Sequence, residues 1–329
     1  MAFRTIVAGF ASALVSTVVV AGQPALAQAQ DSYPSHPVRI VMSLPPGSAP
    51  DIRVRIIANQ LTTIWGRQVV VENRAGAGGA LAVQAALAAP ADGYTLLSTV
   101  SSVFTILPAQ RDKLPFDVNR DLVPIALTGS EGMVLAVSSK LGVNNLAEFI
   151  ALAKAQPNKL IIGTNPAGSL PHLAGRLFAA LSQAPVMVVP YSSGGTNEAI
   201  REILGGRIHG VIEARSGLQA QLDAGDLKAL AVMARERVST APNLPIATET
   251  VPGLTAVGWS GIFAARRVPE AVVQRLAASL RQVLETPEIK TRLEQTGTPF
   301  RPLLTGDFAR FIEAEQKLWW PVAKEAGPS

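Results

Sequence analysis

The sequence predicts an α/β protein in two domains, each a mostly parallel sheet flanked by helices. Three observations carry this expectation. Apolar runs of strand length alternate with helical stretches, the pattern of βα units whose crossovers cover both faces of a sheet. Loops rich in glycine and proline fall where strands give way to helices, at Pro45–Pro50, Asn73–Gly79 and Gly163–Pro171. The length, 329 residues, suggests about two domains, and 48% hydrophobic with 16% charged residues is enough to fill their cores.

The organising stretch is Val38–Asp51, VRIVMSLPPGSAPD. Val38, Ile40, Val41, Met42 and Leu44 read as a buried strand. Pro45 to Pro50 is a loop, and Asp51, Ile52, Val54, Ile56, Ile57 and Leu61 have helical spacing. Strand, tight loop, helix is the arrangement that turns free backbone N–H groups and a helix N-terminus toward an anion.

The chain then continues in the same style. Gln68–Glu72 is a strand, Asn73–Gly79 a glycine loop, Ala80–Ala89 a helix and Tyr94–Thr99 a strand ending at Ser101 and Ser102. Lys113–Arg120 is polar and proline-flanked, a loop. Val123–Thr128 and Met133–Ser138 read as two strands, and Leu146–Ala155 as a helix capped by Asn144 or Asn145. Leu160–Gly163 is a strand that opens the second Gly/Ser/Pro loop, followed by a helix over His172–Leu181. The strand–loop–helix device thus occurs twice, and two such devices in two domains could close on one ligand. Met187–Pro190 is a strand, Tyr191–Gly195 a loop, Asn197–Leu204 a helix stopped by Gly205-Gly206, and Ile208–Glu213 a strand. Leu218–Ala224 and Lys228–Met233 add a helix and a strand, and Arg235–Pro252 is the crossing back. Gly258–Ala264 is a strand before three helices, Pro269–Leu284, Pro287–Thr296 and Asp307–Ala326, two of them opened by proline.

Charge and residue usage exclude several classes. The net charge is +5, without a basic run of the kind that tracks nucleic acid, so no nucleic-acid partner is expected. The thin excess favours anionic small molecules, an attraction that salt weakens. With no cysteine there are no disulfides, thiolate zinc sites or Cys nucleophiles. His and carboxylates do not cluster at metal-ligand spacing, so neither metal nor cofactor is expected. A hydrolase needs a nucleophile and a base, and there is no G-x-S-x-G elbow and only His36, His172 and His209. A Ser169/His172 pair is already explained by helix capping. The Ala75–Gly79 loop lacks the Lys-Ser/Thr ending of a phosphate-binding P-loop.

The N-terminus reads as a targeting segment over residues 1–27. Arg4 precedes an apolar run from Ile6 to Ala21, and Ala25-Leu26-Ala27 has the small-x-small form of a cleavage site. The mature chain is expected to start near Gln28, in the periplasm; the alternative is a retained N-terminal anchor. The run is shorter than the roughly 20 apolar residues of a spanning helix.

Several strings, read in order, resemble the substrate-binding proteins of tripartite tricarboxylate transporters, the Bug or TctC-like family. They are Tyr33-Pro34 with Pro37-Val38-Arg39-Ile40-Val41; Pro46-Gly47 with Asp51; Val69-Val70-Val71-Glu72-Asn73-Arg74 with Gly76-Ala77-Gly78-Gly79; and Asp92-Gly93-Tyr94-Thr95-Leu96. Later come Gly168-Ser169 with His172-Leu173-Ala174-Gly175, Val189-Pro190-Tyr191 with Gly194, and Leu204-Gly205-Gly206. The resemblance spans the mature chain. It implies a two-domain periplasmic-binding-protein (Venus-flytrap) fold, with 33–130 plus 254–329 as domain 1, 131–253 as domain 2 and the ligand cleft between them. It implies a small organic carboxylate ligand, held by backbone N–H groups of two facing βα loops. It also implies large and small integral-membrane subunits that perform the transport. The cleft needs only a monomer. A subunit presenting ligand to a membrane sensor kinase would need the same cleft, and a secreted hydrolase is the remaining alternative.

The candidate ligand residues follow from these loops. In the first, Pro46, Gly47, Ser48 and Ala49 form the anion loop, with Gly47 and Ser48 as donors. Asp51 is a helix cap or loop clamp, since a carboxylate repels an anionic solute. In the second, Thr164, Asn165, Gly168 and Ser169 form the facing jaw; His172 contacts the ligand or hydrogen-bonds the loop. Ser101 and Ser102 line the cleft or cap the next helix. Tyr191 stacks on the ligand's far end or packs at the hinge. Glu213 and Arg215 end a strand, and Arg215 pairs with a second carboxylate or with Glu213. The chain departs from the family pattern at Ser48-Ala49-Pro50, at Arg53 beside the expected Arg55, at His209, and at Glu213-Ala214-Arg215-Ser216.

Overall fold

The structure is a computed structural model, described over residues 33–111, 113–191, 195–238, 241–294 and 302–326. The leader expected over 1–27 and the loop residues 192–194 lie outside the described residues. The elements are β1 (Val38–Met42), α1 (Ala49–Trp65), β2 (Val69–Asn73), α2 (Ala80–Leu87), β3 (Thr95–Val100), β4 (Leu122–Ser138), α3 (Leu146–Ala155), β5 (Ile161–Thr164) and α4 (Leu170–Ser182). They continue with β6 (Met187–Pro190), α5 (Gly195–Leu204), β7 (Gly210–Ala214), α6 (Arg215–Asp223), β8 (Leu227–Val232), β9 (Val257–Ala265), α7 (Glu270–Glu285), α8 (Pro287–Glu294) and α9 (Thr305–Ala326). Single helical turns at Ser102–Thr105, Leu107–Gln110 and Val118–Asp121 fill the connection between β3 and β4.

The strands run in the order β2-β1-β3-β9-β4-β7-β5-β6, with β8 also paired to β4. The expected parallel βα units are present at the two ends: β1 pairs β2 and β3 in parallel, and β5 pairs β6 and β7 in parallel. Between them the pairing is antiparallel, β3 with β9 and β4 with β7, β8 and β9. The sheet is therefore mixed. A strand that passes from one βα lobe to the other has no crossover helix before it, so nothing forces it parallel.

The largest correction concerns β4. The Gly129-Ser130-Glu131-Gly132 stretch reads as a break between two strands, yet one 17-residue strand runs through it. Its first part, Leu122–Gly132, pairs with β9. Its second part, from Met133, pairs with β7 and β8. Pairing of Gly129–Gly132 with Val257–Ser260 of β9 holds the strand where propensity is weakest, a case of tertiary pairing overriding β-propensity. Register shifts between Pro124 and Ala126 and between Leu127 and Gly129 take up the twist. Two smaller corrections are that α1 and α4 begin at Ala49 and Leu170, two residues before the expected starts, because Pro50 and Pro171 are accommodated in the first turn.

Apolar burial ties the two sets of βα units together. One core gathers Val41, Ala80, Val83, Leu97, Trp259 and Phe263. Another gathers Leu135, Phe149, Ile162, Phe178 and Ile212. The C-terminal helix α9 serves both: Phe308 and Ile312 enter the first, Trp319 and Ala323 the second. Trp259 packs edge-on against Phe308 and Phe311 and is buried.

Gly261 lies where β9 meets α9. A Cβ there would stand 2.5 Å from Phe308 Cζ and 3.1 Å from the Ala126 carbonyl oxygen. The ring is locked in the core, so it has little room to yield. We expect Gly261→Ala to cost about 2 kcal/mol in urea unfolding, as overpacking does; a cost near zero would show that α9 is not pinned at this point.

Candidate ligand-binding site

Two loops share one local design that the sequence reading passed over. Gly47-Ser48-Ala49-Pro50-Asp51 and Gly168-Ser169-Leu170-Pro171-His172 both read Gly-Ser-x-Pro followed by a side chain that can accept a hydrogen bond. Each glycine is left-handed, φ 81° at Gly47 and 77° at Gly168. Each serine is the extended N-cap of the helix, and each proline sits in the first turn. Each glycine N–H is closed onto the residue four positions on: Gly47 donates to Asp51 Oδ2 at 2.9 Å, Gly168 to His172 Nδ1 at 3.1 Å. Aligning the two loops would have revealed the repeat.

This geometry corrects the expected donor set. The N–H groups of Gly47 and Gly168 are committed inside their own loops. Ser48 Oγ donates to the Pro45 carbonyl at 3.0 Å, and Ser169 Oγ accepts from the His172 backbone N–H. Thr164 is wholly buried, its hydroxyl donating to the Asn165 carbonyl. Among the backbone donors with no acceptor in the described residues are the first N–H groups of the two helices, at Ala49 and Leu170. Each carries the positive end of its helix. His172 Nδ1 accepts from the Gly168 N–H and Ser169 Oγ accepts from the His172 N–H, so both side chains serve the loop itself.

Two glycines on the crossing strands show which helix covers each of them. Gly129 on β4 is covered by α1: a Cβ there would lie 2.8 Å from Arg53 Nε. Gly258 on β9 is covered by α4: a Cβ there would lie 3.4 Å from Leu170 Cδ2. Gly258 pairs across with Glu131, and Glu131 is two residues from Gly129 on β4. Cross-strand partners and residues two apart share a face. Side chains from α1 (Arg53) and α4 (Leu170) therefore reach the same face of the β4–β9 crossing.

The first loop is held electrostatically. Asp51 is 2% exposed and accepts from Gly47 N, Arg55 Nε at 3.0 Å and Asn73 Nδ2 at 2.8 Å. Asn73 Nδ2 also donates to the Leu44 carbonyl, and Arg55 Nη2 donates to Asn73 Oδ1. Burial pushes the Asp51 carboxyl up, but bonds from Arg55, Asn73 and Gly47 outweigh it and hold it below the usual value. Asp51 is thus the loop clamp of the two roles expected for it. The second clamp, His172, is neutral in kind: burial and then Arg176 lower its pKa.

The remaining residues divide. Ser101 is buried and donates its N–H to the Trp259 carbonyl; its carbonyl, not its side chain, starts the next turn. Ser102 lines a cavity of about 270 Å³ with Ser43, Leu44, Pro45 and the Gly76–Gly79 loop. Pro46 and Gly47 are exposed. Asn165 donates to Glu213 and accepts from Thr196 N and Oγ1; the Thr196 hydroxyl and the Ala214 N–H also donate to Glu213. Glu213 is thereby committed to positioning Asn165. The Tyr191 ring packs with Ala199, Ile200 and Ile203 and lies 3.1 Å from where a Gly163 Cβ would be. Arg215 makes no ion pair with Glu213 or any other described residue, and lies against Glu131 and Leu244. Sequence reasoning did not assign Ser43, Thr196, Glu131 or Ser216 to the site, because isolated hydroxyls and one carboxylate carry no spacing signal.

Two βα loops of one design, in a sheet whose two halves are joined by one strand crossing, are features of a solute-binding fold. Residues 53–327 match the model of TctC, the tripartite tricarboxylate transporter family receptor, so the chain belongs to that family of periplasmic receptors. It is 31% identical over 305 residues to Protein BugT of Bordetella pertussis, covering 90% of this chain and 91% of the relative. Among solved structures, it resembles R. palustris Rpa4515 with adipate (28% identity, TM-score 0.76, 90% of this chain and 100% of that one). It also resembles MatC from Rhodopseudomonas palustris with bound malate (26%, 0.71, 88% and 100%).

The clamps titrate separately. Asp51→Ala leaves buried donors on Gly47 and Asn73 without an acceptor and should cost about 2 kcal/mol in urea unfolding. For His172, the unfolded chain protonates first as pH falls. Stability is therefore full above about pH 6.5 and declines below it toward the lowered native value. His172→Gln should flatten that decline in thermal unfolding between pH 7 and pH 5.

Proposed function

We propose that the crossing of β4 and β9 floors a cleft between lobes 33–130 plus 254–329 and 131–253, and that a small organic acid binds there. Its carboxylate is received by the helix starts at Ala49 and Leu170, whose unpartnered N–H groups and helix dipoles both favour an anion. The observation that supports this reading is the repeated Gly-Ser-x-Pro loop at the starts of two helices whose side chains reach one face of one strand pair. Asp51 and His172 act as clamps that hold the loops, while Ser101, Ser102, Asn165, Tyr191 and Arg215 surround the remainder of the ligand. The relatives' adipate and malate are small dicarboxylates, in keeping with such a site. Residues 1–27 are a cleaved signal peptide, and the mature receptor works as a periplasmic monomer that delivers its ligand to large and small membrane subunits.

Thermal-shift measurements against aliphatic and aromatic mono- and dicarboxylates test this. A ligand at 100 times its Kd should stabilise the protein by about 2.7 kcal/mol, and no shift with any acid would refute the reading. Gly47→Val places a β-branched residue at φ 81°, costing roughly 1–2 kcal/mol in the loop. It should abolish the ligand shift while far-UV circular dichroism is unchanged; an unaltered calorimetric affinity would clear the loop of any role.

A further inference from the structure

One carboxylate ties together three loops of the second group of βα units. Parallel pairing sets the C-terminal ends of β5, β6 and β7 side by side. Asn165 follows β5, Thr196 is the second residue of α5, and Glu213 lies next to last on β7. The Thr196 backbone N–H donates to Asn165 Oδ1 at 2.9 Å. A backbone N–H can only donate, so it fixes the amide with Oδ1 toward α5 and Nδ2 toward Glu213. Nδ2 donates to Glu213 Oε2. The Thr196 hydroxyl, 3.0 Å from Asn165 Oδ1, is closer still to that same carboxylate oxygen. The other oxygen, Oε1, accepts from the Ala214 N–H at 2.7 Å. Two glycines leave room for these side chains: a Cβ at Gly195 would stand 2.5 Å from Asn165 Oδ1, and one at Gly217 would stand 3.0 Å from Glu213 Cγ.

The polarity of the network selects its centre. Both oxygens of residue 213 face donors, and the Ala214 donor is a backbone group that cannot turn round. A carboxylate accepts at both places, whereas a glutamine there would set one donor against another. Asn165 Nδ2 carries two N–H groups, and Glu213 is its one acceptor among the described residues, so the second N–H is left over. We propose that Glu213 is a positioning residue for ligand capture: it holds the Asn165 amide so that the second N–H meets a hydrogen-bond acceptor of the ligand, and it acts on affinity through Asn165. This rests on the reading that Asn165 borders the bound acid, and it assigns the residue that sets that border.

The test is a double-mutant cycle read by isothermal calorimetry. Adipate, malate, succinate and benzoate are titrated into the wild type. The acid that binds most tightly is then titrated into Glu213→Gln, Asn165→Ala and Glu213→Gln/Asn165→Ala. Each single change should weaken binding about tenfold, and the double variant should bind within about twofold of Asn165→Ala, because the carboxylate then has no amide to orient. Glu213→Asp keeps the charge and both acceptor oxygens but withdraws them by one methylene; it gives a second cycle with Asn165→Ala, read the same way, should Glu213→Gln not fold. A carboxylate that only stabilised these loops would lower affinity by the same factor in both backgrounds, and that result would overturn the proposal. Wild-type affinity in either single variant would overturn it too. A wild type that binds none of the four acids would instead remove the reading of a bound acid, and this one with it.

Discussion

The structure depends on the antiparallel crossing of β4 and β9. Two groups of parallel βα units cannot share a sheet without a strand that belongs to both, and β4 is long enough to do so, with β9 on its first part and β7 and β8 on its second. Parallel strands deliver their loops and helix starts at their C-terminal ends. Because β1 and β3 lie on one side of the crossing and β5 and β7 on the other, those ends face the same junction. The glycines at 129 and 258 let helix residues descend onto the strands there. A β-carbon at 129 would collide with the Arg53 side chain, whereas one at 258 would only touch Leu170.

The loops at that junction are stiffened from within. A backbone donor closed onto a side chain four residues later makes a small ring that fixes the left-handed glycine and the N-cap together. Asp51 closes one ring with a charge, itself held by Arg55 and Asn73; His172 closes the other with an imidazole. The consequence is that the glycine amides shape the loops from within.

C-terminal helix α9 links the two cores. Phe308 and Trp319 are buried in different cores on the same helix. One helix thus contributes side chains to both cores, so the two groups of βα units are packed through a shared element.

Much of this was written in local patterns. Alternation of apolar runs with helical periodicity identifies the βα units, because burial of a pleated strand or one helix stripe imposes its own period on the residues. Proline and glycine mark the two loops, and the ordered strings identify the family. What local patterns do not carry is pairing at a distance. The GSEG stretch reads as a break because its residues have poor strand propensity, and only partners more than a hundred residues away make it a strand. Arg53 registers in the sequence as one extra charge on a helix; that it is buried over Gly129 and coupled to Glu131 is decided by which helix lands on which strand. Glycine amides look like ligand donors until the side chains of Asp51 and His172 are seen to claim them. The sequence by itself determined the units, the loops and the class of ligand they suit, since these follow from periodicity and backbone chemistry. The mixed sheet, the reach of α1 and α4 side chains to one strand face and the burial of Arg53 were decided by tertiary structure, because each arises from long-range contacts whose energy no short segment contains.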